Sequence, residues 1–223
     1  MEIIARPDVL PTIISLAAAF ISLALLAWLR TNAAKYLADA SLAVVSEKRA
    51  LKMWNEKSST TQRNFVIHNV ILLINFSVLF FQLAQQNSVV MTHNYAVDFL
   101  IILAATALFF TLKVMAYLFV GFSFSEIDQS RWYSHNVMII YRGYGFILFP
   151  VIIAVPFFTG NVTNAVFVAA LVLFAFSQIL IFVRAYTISR KTKFSILYLF
   201  LYLCALEIIP VLFVVKISGL FFL

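Results

Sequence analysis

Six long apolar stretches constrain this chain more than any other feature of its sequence. Each is close to or above the roughly 20 residues that an α-helix needs to cross a hydrocarbon core about 30 Å thick. They are Val9–Leu29, Phe65–Ala84, Val97–Val120, Asn136–Phe158, Ala165–Val183 and Phe194–Leu220. The stretches are continuously apolar, whereas the strands of a transmembrane barrel alternate in polarity over about ten residues. The sequence therefore predicts an all-α fold, a polytopic transmembrane helix bundle of six spans that forms a single integral membrane domain over residues 1–223.

The composition excludes several other classes of protein. Hydrophobic residues make up 64% of the chain and charged residues 11%, against roughly 45–50% and about 25% in soluble proteins. Such a chain is too apolar to be disordered, and a single cysteine, Cys204, cannot form an internal disulfide framework. The net charge of +7 is not accompanied by a nucleic-acid-binding motif, so we expect a lipid bilayer and no nucleic acid as partner.

The distribution of Lys and Arg predicts the orientation of the bundle. Twelve of these residues lie in the connections that follow the first, third and fifth spans, including Arg184 and Arg190 after the fifth. The opposite side carries Arg6 alone. The positive-inside rule therefore predicts that both termini lie outside the cytoplasm.

The connection over residues 31–63 is long enough to contain structure, and we interpret it as a cytoplasmic, amphipathic and basic segment. Leu37, Val44 and Leu51 recur every seven residues, which predicts an amphipathic helix over Thr31–Asn55. Three positions remain open for this helix: an extension of the first span, the anionic membrane surface, or the underside of the bundle. The serines and threonines of residues 58–61 predict a break and an N-cap before the second span.

Three polar residues form a stripe on the second span. His68, Asn75 and Gln82 are spaced by seven, so they share one helical face, which we expect to turn away from lipid. Such a stripe can line a ligand site, or it can hold the bundle together through hydrogen bonds between helices.

Charged residues also lie inside the apolar spans, where a charge costs about 2.5–3.5 kcal/mol near mid-bilayer. Lys113 shares a helical face with Tyr117, and Arg142 precedes Tyr144 in a segment with two glycines. Glu207 is the only acidic residue deep in a span, so it can balance one of the two cations and leaves the other unmatched. An unmatched buried cation invites an anion, although the cations could also snorkel to the surface and Glu207 could form a structural ion pair.

The sequence lacks the motifs of common catalytic sites. It contains no His-Glu-x-x-His pair, Gly-x-Ser-x-Gly elbow or P-loop. Its three histidines, His68, His93 and His135, belong to different predicted elements, which argues against a zinc or haem site. We therefore expect neither an enzyme nor a bound cofactor or metal.

The last predicted span carries a ten-residue pattern, Leu201-Tyr202-Leu203-Cys204-Ala205-Leu206-Glu207-Ile208-Ile209-Pro210. It resembles the closing pattern of a family of small bacterial integral membrane proteins that is classified only as a domain of unknown function. The resemblance implies a multi-pass protein of the bacterial inner membrane and brings no activity with it.

Two functions follow from these residues as expectations. The first is a polar cavity that opens toward the cytoplasm and binds or translocates an anionic ligand, such as a small anion or a lipid phosphate headgroup. In this hypothesis Lys113 and Arg142 hold the anion, and Glu207 is a counter-ion or a protonation switch. The expected hydrogen-bonding lining consists of His68, Asn75, Tyr117 and Tyr144. The alternative is a non-catalytic scaffold or assembly subunit of a cell-envelope complex, which would hold a membrane protein partner through the Thr31–Asn55 helix.

Overall fold

The computed structural model describes residues 9–56, 58–86, 92, 94–123, 125–158 and 161–191. Within those residues the chain forms seven α-helices, with a short 3-10 turn, Val155–Phe157, after the sixth. The helices are α1 (Val9–Asn32), α2 (Ala34–Ala43), α3 (Glu47–Asn55), α4 (Ser59–Gln86), α5 (Tyr95–Ser123), α6 (Ile127–Ala154) and α7 (Asn161–Lys191). The sixth predicted span, Phe194–Leu220, lies outside the described residues together with Cys204 and Glu207.

Five of these helices, α1, α4, α5, α6 and α7, are long and apolar enough to cross a membrane. They match the first five predicted spans and identify a multi-pass helical membrane protein. Several helices extend beyond the predicted spans. Helix α4 begins at Ser59 and α6 at Ile127, and α7 continues through Lys191 and includes Arg184 and Arg190. The segment after Val183 contains neither glycine nor proline, so nothing in it ends the helix at the edge of the apolar run.

Helices α4 and α6 form the centre of the bundle. In their most apolar windows 56% and 50% of the residues are buried, against 17% in α5. The two helices run parallel, since Asn75 donates to the carbonyl of Gly145 at 2.8 Å and Gln82 to that of Ile152 at 2.9 Å. Pro156 has no N–H group to bond the Ile152 carbonyl within α6, so that carbonyl is available to Gln82.

Helices α2 and α3 form an antiparallel pair, the hairpin, where the sequence predicted one continuous helix. The chain breaks at Ala33 and reverses direction between Val44 and Ser46. Four residues of the hairpin are buried in a cluster with Ile139 of α6: Ala40, Ala43, Ala50 and Met53. The seven-residue pattern fails at Leu51, which is 47% exposed, because the reversal resets the face that α3 presents to α6. Of the three positions left open by the sequence, the hairpin takes the one packed on the bundle.

The hairpin lies along the first half of α6. Its reversal touches Gly143, where a Cβ atom would lie only 2.4 Å from Val44 Cγ2. Its other end contacts the beginning of α6, since the Trp54 ring lies 5.8 Å from Trp132 and 5.1 Å from His135. Trp132 and Gly143 are 11 positions apart in the sequence, which corresponds to about 16 Å of helix along which the hairpin contacts α6.

Arg184 of α7 fastens the hairpin to the bundle. Its Nη2 atom donates to the carbonyls of Ala43 and Val44, both at 3.0 Å, and its Nη1 atom donates to Asn136 Oδ1 at 2.6 Å. The last carbonyls of a helix have no partner within the helix and carry partial negative charge. A guanidinium at the end of α2 therefore satisfies these groups and complements the helix dipole.

Asp39 links the two helices of the hairpin. Its carboxylate accepts from Arg49 Nη1 at 2.5 Å and from Lys52 Nζ at 3.0 Å. The hydrogen bond from Lys52 lowers the pKa of Asp39 below its ordinary value of 3.8, with a further contribution from Arg49 and an opposing one from burial. The carboxylate is therefore ionised in the folded hairpin at neutral pH.

The depressed pKa of Asp39 predicts an acid-sensitive hairpin. A group with a lowered folded pKa contributes stability above its unfolded pKa, and that stability is lost as the pH falls through the folded value. Hydrogen–deuterium exchange, corrected for intrinsic rates, should show protection of residues 34–55 that is constant above about pH 4 and decreases below it. Asp39→Asn should be less protected at neutral pH and lack the acid-dependent loss, whereas Glu56→Gln, at an exposed position on the same hairpin, should match the wild type. An unchanged acid-dependent loss in Asp39→Asn would assign it to another group.

The contacts of Arg184 predict a second effect on stability. Arg184→Met leaves two helix-terminal carbonyls without their charged donor and should destabilise the protein by about 1.5–3 kcal/mol. Thermal unfolding in a mild detergent measures this loss, and hydrogen exchange should localise it to α2. The matched control is Arg131→Met, because Arg131 is exposed at the beginning of α6. Equal stability of the two variants would contradict the role given to Arg184.

Candidate functional site

Arg142 projects from α6 toward α4 and is only 2% exposed. Its Nε atom donates to Asn69 Oδ1 at 2.8 Å, and its guanidinium carbon lies 3.3 Å from the centre of the Phe65 ring. Phe65 and Asn69 are four residues apart, so they lie on the same face of α4. A hydrogen bond on one side and an aromatic face on the other therefore fix the plane of the guanidinium.

The outer nitrogens of Arg142 are buried without hydrogen-bond partners. Neither Nη1 nor Nη2 makes a hydrogen bond of good geometry in the part of the chain that the structure describes, although the Tyr36 hydroxyl lies nearby. The ion pairs within that part involve Asp39 or Glu56 rather than Arg142. An uncompensated buried cation is costly, and the two Nη groups are the fork through which arginine binds two oxygens of a phosphate or carboxylate.

Three further polar side chains surround the guanidinium. The charge of Arg142 acts on His68 and His135, and the ring of Tyr36 lies 6.1 Å from that of His68. The Tyr36 hydroxyl is close to the guanidinium, but not in hydrogen-bond geometry. Burial raises the pKa of Tyr36, and the charge of Arg142 partly offsets this effect. We refer to this group as the Arg142 cluster; its members are Tyr36, Phe65, His68, Asn69, His135 and Arg142.

The other members of the Arg142 cluster also have unused hydrogen-bonding capacity. Among the described residues, no partner reaches the Tyr36 hydroxyl, either ring nitrogen of His68 or Nε2 of His135. Buried polar atoms usually have partners, and a concentration of unsatisfied ones calls for an explanation such as water or a ligand. The cluster offers donors around a fixed positive charge, an arrangement that suits an anion.

Aromatic contacts hold His135 in this group. Its ring stacks on Phe65 at 5.5 Å with an angle of 4° between the planes. Trp132 stacks on it at 6.0 Å, and Trp54 of the hairpin approaches at 5.1 Å. The hairpin thus contributes two aromatic residues, Tyr36 and Trp54, to the surroundings of Arg142.

Lys113, the second predicted cation, has different contacts. It is 6% exposed, and its Nζ atom donates to the Tyr141 hydroxyl at 2.6 Å and lies 4.5 Å from the centre of that ring. Gln178 of α7 donates to the same hydroxyl at 3.3 Å. Tyr141 and Arg142 are neighbours in sequence, but Tyr141 faces α5 and α7 whereas Arg142 faces α4. The described contacts of Lys113 and Arg142 therefore share no residue.

Asn75 connects helices in the structure. It accepts from Ser22 Oγ at 2.7 Å and donates to the Gly145 carbonyl, which joins α1, α4 and α6. Gln82 makes the same kind of bond to α6, and His68 is buried on the same face of α4. The spacing by seven correctly predicted this buried face, of which only His68 belongs to the Arg142 cluster.

The two predicted tyrosines lie elsewhere in the core. The Tyr144 hydroxyl donates to the Ala170 carbonyl at 2.9 Å. The Tyr117 ring packs edge to face on Tyr133 at 5.3 Å. Glu207, the predicted counter-ion, lies outside the described residues.

Sequence analysis missed four members of the Arg142 cluster. Phe65 and Asn69 could have been found, because they flank His68 on one helical face and a cation in the bundle needs such neighbours. His135 had been set aside because it belongs to a different element from His68. Tyr36 gave no signal, since it reaches the site only because the hairpin folds back along α6.

The five long apolar helices define the class of this protein, a multi-pass helical membrane protein. Its described part contains a buried arginine, Arg142, with unused hydrogen-bond donors. The chain belongs to the family described as Domain of unknown function (DUF4271), whose family model matches residues 15–217. Comparison with curated proteins and with solved structures finds no match. The family match agrees with the resemblance to an uncharacterised family noted from the sequence.

Proposed function

We propose that this protein is a bacterial inner-membrane protein of six spans that binds or translocates an anionic ligand at the Arg142 cluster. The observation that carries the proposal is the pair of Nη atoms of Arg142, buried and without partners in the described part of the chain. The sequence leaves one intramembrane cation unmatched, and the geometry supports Arg142 as that cation.

The surroundings of Arg142 prepare it for two oxygens of one ligand. Asn69 accepts a hydrogen bond from Nε of Arg142. This bond orients the guanidinium and leaves Nη1 and Nη2 available for the ligand. Two parallel charge-assisted hydrogen bonds from such a fork are stronger and more directional than a single contact. His68 and Tyr36 can add a donor each, so a phosphate or carboxylate group suits the cluster better than a halide.

The remaining predicted residues keep roles in this proposal. Lys113, placed on the other side of α6, is the second cation on a route through the bundle, and Glu207 is the proposed counter-ion. Asn75, Tyr117 and Tyr144 support the site by fixing the helices that carry it. The cavity is proposed to open toward the cytoplasm, the side to which the positive-inside rule assigns the hairpin.

The alternative, a scaffold that uses the basic hairpin to hold a partner, receives less support. It relies on Lys48, Arg49 and Lys52 as a docking surface. Arg49 and Lys52 already bind Asp39 within the hairpin. Reversing their charge would therefore disrupt the hairpin itself, whether or not a partner protein exists.

The proposal predicts that ligand binding depends on Arg142. Native mass spectrometry of protein extracted in a mild detergent should show a bound anionic species that Arg142→Gln loses, with affinity reduced about tenfold or more. Arg142→Lys, which keeps the charge but loses the fork, should retain an intermediate amount. The matched control is Arg63→Gln, because Arg63 is an exposed arginine on α4 that covers Trp28.

Two results would contradict the anion site. One is the same set of bound species in the wild type and in Arg142→Gln, with both proteins eluting as a single folded form. The other is wild-type protein without any bound anion that also shows no thermal stabilisation by inorganic phosphate or sulfate. A stoichiometric protein partner without a small ligand would favour the scaffold instead.

The proposed orientation predicts a pattern of chemical labelling. In a Cys204→Ser background expressed in a Gram-negative bacterium, a membrane-impermeant maleimide should label Asn94→Cys from the periplasmic side. Lys48→Cys should react only after the inner membrane is permeabilised. Both positions are exposed, so accessibility does not favour either one. The opposite pattern would reverse the orientation and place the hairpin outside the cytoplasm.

A further inference from the structure

A cavity of about 290 Å³ lies between the hairpin and helices α6 and α7. Its walls are mainly aliphatic and aromatic. Representative lining residues are Leu37, Val44, Ile140, Ile147, Leu173 and Leu180. The volume is at the lower limit of pockets that hold drug-sized molecules, so it suits a flexible hydrocarbon segment better than a bulky polar group.

The polar groups of the cavity wall differ in whether they have hydrogen-bond partners. Ser41 donates to the carbonyl of Leu37 at 2.9 Å, and Ser177 to that of Phe174 at 2.7 Å. The Tyr144 hydroxyl is likewise bonded to a backbone carbonyl. Among the described lining residues, His68 differs, because both of its ring nitrogens lack partners. The cavity therefore has mainly hydrocarbon walls, and within the described lining His68 is the residue with unused hydrogen-bonding groups.

His68 connects the cavity to the Arg142 cluster. It lines the cavity, packs against Tyr36 and lies within range of the positive charge of Arg142. An apolar chain in the cavity would thus contact His68, a neighbour of the buried Arg142. An apolar cavity next to a fixed positive charge is complementary to an anionic amphiphile, which has a hydrocarbon chain and a charged headgroup.

The cavity also opens on the outer surface of the bundle. Three of its lining residues, Val45, Phe146 and Phe176, are 81%, 41% and 57% exposed. Apolar side chains on the outside of a membrane helix face the lipid chains. A ligand that resides in the bilayer could therefore enter sideways without passing through water.

We infer that the ligand of the Arg142 cluster is an anionic membrane amphiphile, whose hydrocarbon chain occupies this cavity and whose phosphate or carboxylate headgroup binds Arg142. The inference rests on the proposed anion site and adds the source of the anion, which is the bilayer rather than the cytoplasm. A free phosphate ion from solution has the same chemistry as a lipid phosphate headgroup, so the test includes inorganic phosphate.

The test compares three probes on purified protein in a mild detergent: dioleoyl phosphatidic acid, inorganic phosphate, and dioleoylglycerol as a chain without charge. Native mass spectrometry and thermal shift should show that phosphatidic acid binds at least tenfold more tightly than either of the other two. Arg142→Gln should weaken the binding of phosphatidic acid and of inorganic phosphate alike. Blocking the cavity should weaken the binding of phosphatidic acid at least tenfold and leave the binding of inorganic phosphate unchanged.

Two cavity-blocking variants come from opposite walls, each with a matched control. Ser41→Trp on α2 is paired with Ala38→Trp, which is exposed on the same helix and is not among the described lining residues. Leu173→Trp on α7 is paired with Val172→Trp, 62% exposed on the outside of that helix. If one blocking variant fails to fold, the other still provides the test.

The outcomes separate this inference from the proposed function. If the folded blocking variants bound phosphatidic acid as tightly as the wild type, the cavity would not be the site of the hydrocarbon chain. The same conclusion would follow if inorganic phosphate or dioleoylglycerol bound as tightly as phosphatidic acid. The anion site would still stand if Arg142→Gln weakened the binding of the anions. Binding that is indifferent to Arg142→Gln would overturn the proposed function and this inference together.

Discussion

The parallel pairing of α4 and α6 is the constraint on which the rest of the structure depends. In lipid, apolar surface alone gives helices little reason to associate, so packing and interhelical hydrogen bonds decide their register. Asn75 and Gln82 donate to α6 carbonyls 70 residues later, and Asn69 accepts from Arg142, 73 residues later. These three bonds form one consistent register along the two helices. Two of these bonds fix the backbones, and the third orients the guanidinium of Arg142. The site is therefore a direct consequence of the central helix pair.

Two glycines allow other elements to approach α6 on both sides of this arginine. A Cβ atom on Gly145 would lie 2.9 Å from Leu72 Cδ1 of α4, and one on Gly143 would overlap Val44 of the hairpin. Small residues at such contacts let backbones come close together. The arginine is thus buried by helices that meet where α6 has glycines, and Asn69 and the ring of Phe65 offset only part of the cost of its burial.

The sequence was sufficient for the five described spans, because length and hydropathy determine which helices can cross a membrane. It was also sufficient for the buried stripe of α4, since its spacing by seven is a local property. The fold-back of the hairpin is different in kind. It depends on Arg184, about 140 residues away from the carbonyls that it binds, and on the space beside Gly143. Tyr36 enters the site only through that long-range contact, and a local pattern such as Leu37, Val44 and Leu51 contains no information about it.

The attachment of the hairpin by Arg184 has a consequence for the order of assembly during synthesis. Chains are made at about 5–20 residues per second, N-terminal parts first, so α2 waits roughly 7–28 s for the arginine that completes its C-terminal end. During that interval α1, α4, α5 and α6 can insert and pair, while the carbonyls of Ala43 and Val44 have no guanidinium to bind. The C-terminal end of α2 therefore acquires its charged donor only after the helices that form the Arg142 cluster have been synthesised.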